Sequence, residues 1–333
     1  MFIRKWLLVL IFALLAFAIA SQFFIFSKIN TKTSNTDEKY FKLSKQTIKI
    51  FQPYIPDTLS FCGEPVPINN ILIRERLERE LISNMYRHSS SILILKRSGR
   101  YFPIIEPILK ENNVHNDIKF LAMCESELAN VTSPAGADGF WQFLKGTAIE
   151  HNLEVSRQVN ERRNLEKSTV AACNYIKHSL KKFGSYTLAA AAYNTGNLNL
   201  QNKIDEQHTN DYYSLSLNEE TSRYVFRILA LKLIYNSPLT YGFFLRNKDI
   251  YQPIPTKEFI IDSSIDDLAK WAKEKNSSLF ELRYFNPWLT TNSLTVIYPK
   301  TYKILLPLNT NWKASIDKLE NPSTIFNDSI KVE

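Results

Sequence analysis

The chain has 333 residues, 44% of them apolar, enough to bury a sizeable core in one large domain or two modest ones. Eight glycines against 21 phenylalanines and 16 tyrosines argue against a turn-rich, all-β architecture and favour helices. The net charge of +8 suits an anionic polymer or ordinary solubility. No basic run interleaved with aromatics points to nucleic acid, and the three cysteines and five histidines lack metal-ligand spacing, so no disulfide framework, metal or other cofactor is expected.

Arg4 and Lys5 precede an apolar run from 6 to 26, long enough to cross a hydrocarbon core of roughly 30 Å. The preceding positive charge predicts a cytoplasmic N-terminus with the rest of the chain exported. We favour an uncleaved anchor over a signal cut after Ala18-Ile19-Ala20. No cysteine follows the apolar core, which excludes a lipoprotein anchor. Residues 1–27 thus read as a membrane segment, and the protein is placed in the cell envelope on the periplasmic side.

Residues 28–69 read as a linker and an extended lead-in carrying Pro53, Pro56, Pro65 and Pro67. From 70 to 240 the pattern is helical, beginning with Ile73, Leu77, Leu81 and Met85 at four-residue spacing. Further helices are expected at 92–97, at 103–112 behind Pro103, and at 118–129 capped by Asp117. Others follow at 147–151, at 165–183 closed by Gly184, at 186–193, and at 219–235. Beyond Pro253 and Pro255 the order becomes strand, helix, helix, strand (258–261, 265–275, 278–285, 302–306), a small α+β module within 256–308. The tail, 309–333, carries no signal.

Within the 118–129 helix, Ile118, Leu121, Ala122, Glu125 and Leu128 share one stripe, and Glu125 is its only polar member. Burial there disfavours the charged form, raises the pKa and supplies a protonated carboxyl for general acid catalysis. A structural glutamate paired with an arginine or a backbone amide is the competing reading. Ordinary glycosidases use two carboxylates. Glu127 lies about 200° round the helix from Glu125, and Asp138 reads as part of a surface turn. With no second carboxylate in view, the sugar's own 2-acetamido group must assist, which restricts the substrate to N-acetylated amino sugars.

Glu125-Ser126, then 133–142 (SPAGADGFWQ), then 192–196 (AYNTG), resemble the three signature blocks of the family 1 lytic transglycosylases, and 220–225 (ETSRYV) is similar to the fourth. The stretches 97–102 and 116–125 resemble the membrane-bound lytic transglycosylase D branch. The resemblance spans roughly 70–237. It implies a mainly α, lysozyme-like (goose-type) domain that cleaves the β-1,4 bond between N-acetylmuramic acid and N-acetylglucosamine in peptidoglycan. Cleavage would proceed without water, closing a 1,6-anhydro ring, with Glu125 as acid and then base.

Other site candidates have physical readings beside the family ones. Gly139 permits close backbone approach to a sugar, or a simple turn. Gln142 can donate and accept towards an acetamido group, or cap a helix. The Tyr193 hydroxyl could hold the Glu125 carboxyl or the acetamido group, with Asn194 beside it; Tyr224 lies on an apolar stripe with Ile228 and Leu231. Ser126 and Ser133 are candidate hydrogen-bond donors. The stretches 262–269 and 282–287 resemble a divergent LysM domain, a binder of N-acetylglucosamine chains, lacking the usual Gly-Asp before its first helix. The expected partners are peptidoglycan strands and the membrane, with room for other cell-wall enzymes. A muramidase-type hydrolase of the same fold and a catalytically silent wall-binding scaffold are the alternatives.

Overall fold

In a computed structural model, which describes residues 50–308, the lead-in is already part of the packed body. Ile55, Phe61, Cys62, Val66 and Ile68 are buried in the main core. Strands β1 (Ser60–Phe61) and β2 (Glu64–Pro65) form a minimal antiparallel hairpin. Lys232 fastens it by donating to the Ser60 carbonyl at 2.8 Å and to Asp117 at 2.7 Å. The expected membrane segment and the tail lie outside the described residues. Among those described, no helix is long and apolar enough to cross a membrane.

Helix α1 (Ile71–Tyr86) buries Ile73, Leu77, Leu81 and Met85, the predicted stripe. The next two expected helices are one: α2 runs unbroken over His88–Glu111 with Pro103 and Pro107 inside it. Each proline removes one intrahelical hydrogen bond. Being four residues apart, both lie on the same exposed face, where the freed carbonyls can be hydrated.

After a 3₁₀ turn at Asn116–Ile118 comes α3 (Lys119–Ser126). It stops three residues short of the expected end. Glu127 (φ 54°) and Leu128 (φ 55°) are both left-handed, a conformation costing a non-glycine residue about 1 kcal/mol or more. The turn is held from outside: Arg87 pairs with the Glu127 carboxylate at 2.7 Å, and Arg97 donates to its carbonyl at 3.1 Å.

The short α4 (Lys145–Glu150) leads to α5 (Leu165–Phe183), which has the predicted ends. Asn164 accepts from the Lys167 amide, and Gly184 closes the helix at φ 71°. Helix α6 (Tyr186–Thr195) is capped by Ser185 and buries 187–192, including four consecutive alanines, whose small side chains allow close helix approach. Glu64 accepts from the Tyr186 and Thr187 amides at its N-terminus, a favourable place for a carboxylate.

Helix α7 (Asn197–Gln207) was not anticipated; its only buried residue is Leu200. Helix α8 (Glu219–Asn236) buries residues on nearly every side, including Tyr224, Val225, Phe226, Ile228, Leu229 and Leu231. It packs on α1, α3 and α6, the central position that an all-round apolar helix requires.

The C-terminal module is the predicted strand–helix–helix–strand unit. Strands β3 (Thr256–Ile261) and β4 (Tyr302–Pro307) pair antiparallel, Thr256 opposite Pro307 and Ile261 opposite Tyr302. Helices α9 (Leu268–Glu274) and α10 (Leu279–Phe285) connect them. Asp267 caps α9, and Ser278 with Glu281 forms a capping box on α10. Leu268, Ala272, Leu282, Ile304 and Leu306 belong to a separate small core.

Candidate active site

Glu125 occupies the last turn of α3. Its stripe-mates Ile118, Leu121 and Ala122 are fully buried, and the glutamate itself is half-buried, so its carboxyl is ringed by protein yet keeps an opening to solvent. Burial pushes this carboxyl up to about 7; the Tyr224 hydroxyl bound to it and the Arg227 guanidinium pull the other way, and Glu220 adds to the rise. Tyr224, from the second turn of α8, donates to Glu125 Oε1 at 2.5 Å. Burial and the neighbouring Glu125 charge hold the tyrosine's own pKa well above 10, so it stays a neutral donor. The geometry leaves one carboxyl oxygen fixed by the protein and the other available to a ligand.

Tyr193 does not supply the hydroxyl that holds Glu125. Its hydroxyl donates to the Trp141 carbonyl at 2.8 Å, and its ring packs edge-on against Trp141, Phe143 and Tyr175. The hydroxyl that holds Glu125 comes from Tyr224 alone among the described residues. Asn194 bridges to the start of α8, donating to Glu220 at 3.0 Å and accepting from Thr221 at 2.9 Å.

The 132–143 loop packs against the end of α3. Ser126, 4% exposed, is within hydrogen-bonding reach of the Ala122 carbonyl (3.0 Å) and the Phe140 carbonyl (2.8 Å), so its hydroxyl pins loop to helix. Ser133 closes a turn, its Oγ accepting from the Ala137 amide at 3.1 Å. Gly139 has φ 84°, and a Cβ there would lie 1.9 Å from the Arg162 carbonyl oxygen; the close approach it permits is to protein backbone. Gln142 caps no helix: its amide donates to the Val131 carbonyl at 2.8 Å and to the Gly139 carbonyl at 2.7 Å.

The surface turn expected at Asp138 is instead a buried ionic centre. The aspartate is 2% exposed. Arg163 donates to it at 3.0 Å, Asn160 at 2.7 Å and Arg162 at 3.4 Å. This carboxylate is committed to the loop.

Two further residues near Glu125 were not among the expected site residues, although Glu220 opens the 220–225 block. Glu220 is exposed at the first turn of α8. Arg227 lies one turn beyond Tyr224 on the same helix, with its Nε buried and without a hydrogen-bond partner. Only the spacing of three from Tyr224 could have flagged it. Cys124, adjacent to Glu125, has its thiol pushed by burial up to about 12, which leaves it protonated and a poor nucleophile. Cys62, His115 and Asp117 bring one potential metal-ligand atom each within 4.8 Å of one another. Asp117 already accepts from Lys232 and from the Cys62 amide, and His115 Nδ1 from the Asp117 amide, so these ligand atoms serve the fold.

Residues 102–216 match the transglycosylase SLT domain family, and 257–310 match the soluble lytic transglycosylase C-terminal LysM-like domain. The chain is similar to the membrane-bound lytic murein transglycosylase D of Escherichia coli K12, at 28% identity over 253 residues, covering 73% of this chain and 54% of the relative. The protein of the same name from E. coli strain CFT073 matches equally. The chain spans about half the length of these relatives. Residues 102–216, which carry Glu125, thus form a lysozyme-like SLT transglycosylase domain, and a LysM-like module follows at 257–310.

Proposed function

We propose that this chain is a peptidoglycan lytic transglycosylase acting at the bond between N-acetylmuramic acid and N-acetylglucosamine. The observation that carries this reading is Glu125, half-buried, its carboxyl pushed by burial up to about 7 and held by Tyr224. With Oε1 fixed by the tyrosine, Oε2 gives its proton to the glycosidic oxygen as the C1–O bond breaks. The substrate's acetamido oxygen stabilises the electron-poor C1. The C6 hydroxyl of the same muramic residue then attacks C1, and its proton passes to the Glu125 carboxylate. The acid is restored and a 1,6-anhydro ring is closed. Gln142 through its Oε1, Ser133 through its hydroxyl hydrogen and Asn194 through its second amide hydrogen are read as substrate contacts, while Ser126, Gly139 and Tyr193 act by shaping the recess. The relatives' printed names support murein as the substrate and a membrane-bound setting. The site is thus read as lying on the periplasmic side of the envelope, with residues 6–26 as the anchor.

One observation favours a hydrolase instead. Glu220 is exposed, near enough to influence Glu125, and positioned by Asn194, so it could orient a water as a base. Digestion of purified sacculi separates the two. Anhydro-muramic ends with full retention of activity in Glu220→Gln support the lyase. Reducing muramic ends, abolished in Glu220→Gln, would establish the hydrolase.

A further inference from the structure

We propose that the C-terminal module is a fixed buttress of the catalytic loop, acting through the strap 154–163, with Val159 and Asn160 as positioning residues. This rests on the reading of Glu125 as the acid. The strap belongs to the helical domain by sequence, yet Val159, 1% exposed, is part of the module's own core beside Trp288, Leu289 and Leu294. Backbone bonds reinforce the insertion: Asn160 N–H donates to the Trp288 carbonyl at 2.8 Å, and Thr290 N–H to the Gln158 carbonyl at 3.0 Å. Glu154, at the start of the strap, accepts from Tyr302 at 2.9 Å and from Lys300.

The same strap grips the loop from the other side. Asn160 Nδ2 donates to Asp138 at 2.7 Å, while its Oδ1 accepts from Arg162 Nε at 2.9 Å. Arg162 reaches the Gly136 and Phe143 carbonyls at 2.9 and 3.1 Å, and its own backbone lies against Gly139. The loop in turn meets the residue after the acid, through Ser126 and the Phe140 carbonyl. An unbroken path of buried contacts therefore runs from Trp288 through Asn160, Asp138 and Phe140 to Ser126. A module that served only to catch distant glycan would need a flexible tether; this one shares a core residue with the domain it follows. Because small displacements at a catalytic group are costly in rate, loosening the strap is read in turnover.

The test uses the full chain with Glu154→Ala and, separately, Val159→Ala, with Val159→Ile as the conservative control and Glu154→Gln as a milder variant should either alanine form fail to fold. Kinetics are measured on a tetrasaccharide of the glycan strand and on long strands, and amide hydrogen exchange is followed across 132–143. The expected result is a kcat lower by about tenfold on both substrates with KM nearly unchanged, faster exchange in the loop, and near wild-type values for Val159→Ile. An unchanged kcat on the tetrasaccharide with a raised KM on long strands, or unaltered loop exchange, overturns the proposal. If the wild type cleaves neither substrate, the functional reading above fails, while the exchange data still decide whether the module holds the loop.

Discussion

Replacing Tyr224 with phenylalanine removes one oxygen and, with it, the donor that holds Glu125. The bond is 2.5 Å long and part-buried. Hydrogen bonds to charged groups contribute about 1.5–3 kcal/mol, equivalent to about one to two pH units in the carboxyl's titration. The sign follows from which form is stabilised. Tyr224 favours the carboxylate, so its loss raises the pKa further above the present value of about 7. The alkaline limb of kcat/KM therefore moves up by about one to two pH units. Turnover drops by about 10- to 100-fold, since the base step loses the stabilised carboxylate and the acid loses its fixed orientation. The assay is a pH–rate profile on a defined glycan, paired with a direct NMR titration of the labelled Glu125 carboxyl. Identical titration midpoints in wild type and Tyr224→Phe would refute the reasoning, as would an unaltered kcat.

Glu125→Gln should abolish cleavage yet gain stability at alkaline pH. Glu125 binds its proton more tightly when folded, so wild-type stability falls as pH rises from 4.5 through about 7. The glutamine form escapes that loss, and denaturant melts near pH 8 should favour it by up to roughly 3 kcal/mol, converging with wild type near pH 4. An equal difference at both pH values would contradict the burial argument. Gly139→Ala places a methyl group on the Arg162 carbonyl and demands φ 84° of an alanine; expect a lowered Tm and loss of activity together, with a wild-type melt as the contrary result. Glu80, 1% exposed, binds Arg223 at 2.6 and 3.4 Å. Glu80→Ala strands a partly hydrated guanidinium and should cost about 2–3 kcal/mol, read as a Tm drop of several degrees; a change within error would show the pair to be dispensable.

Much of the architecture was legible because local signals sufficed. Helix α5 carries its cap in Asn164 and its stop in Gly184, and the module's element order follows from short apolar runs separated by turn residues. The signals failed where distant groups overrode them. Pro103 read as a helix start, but an exposed face, which it shares with Pro107, lets α2 continue through it. The end of α3 is set by Arg87 and Arg97 gripping a left-handed Glu127, which leaves no mark in the helix's own residues. Helix α7 is too polar to display a buried stripe. Glu125 was readable from the stripe on its own helix. Its partner was harder: Tyr193 and Tyr224 are both buried aromatics in the sequence, and only the packing of α3 on α8 shows which hydroxyl reaches the acid. Asp138 likewise looked exposed because its arginine partners lie about two dozen residues downstream.

In the proposed reaction one carboxyl group, Glu125, breaks the glycosidic bond without admitting water. Digestion of sacculi in water enriched in heavy oxygen, followed by mass spectrometry of the released fragments, tests it directly. Lyase action by Glu125 releases fragments lighter by one water than hydrolysis products, free of the heavy isotope, and absent from digests with Glu125→Gln. Heavy oxygen incorporated at the muramic C1, or persistent cleavage by Glu125→Gln, would contradict it.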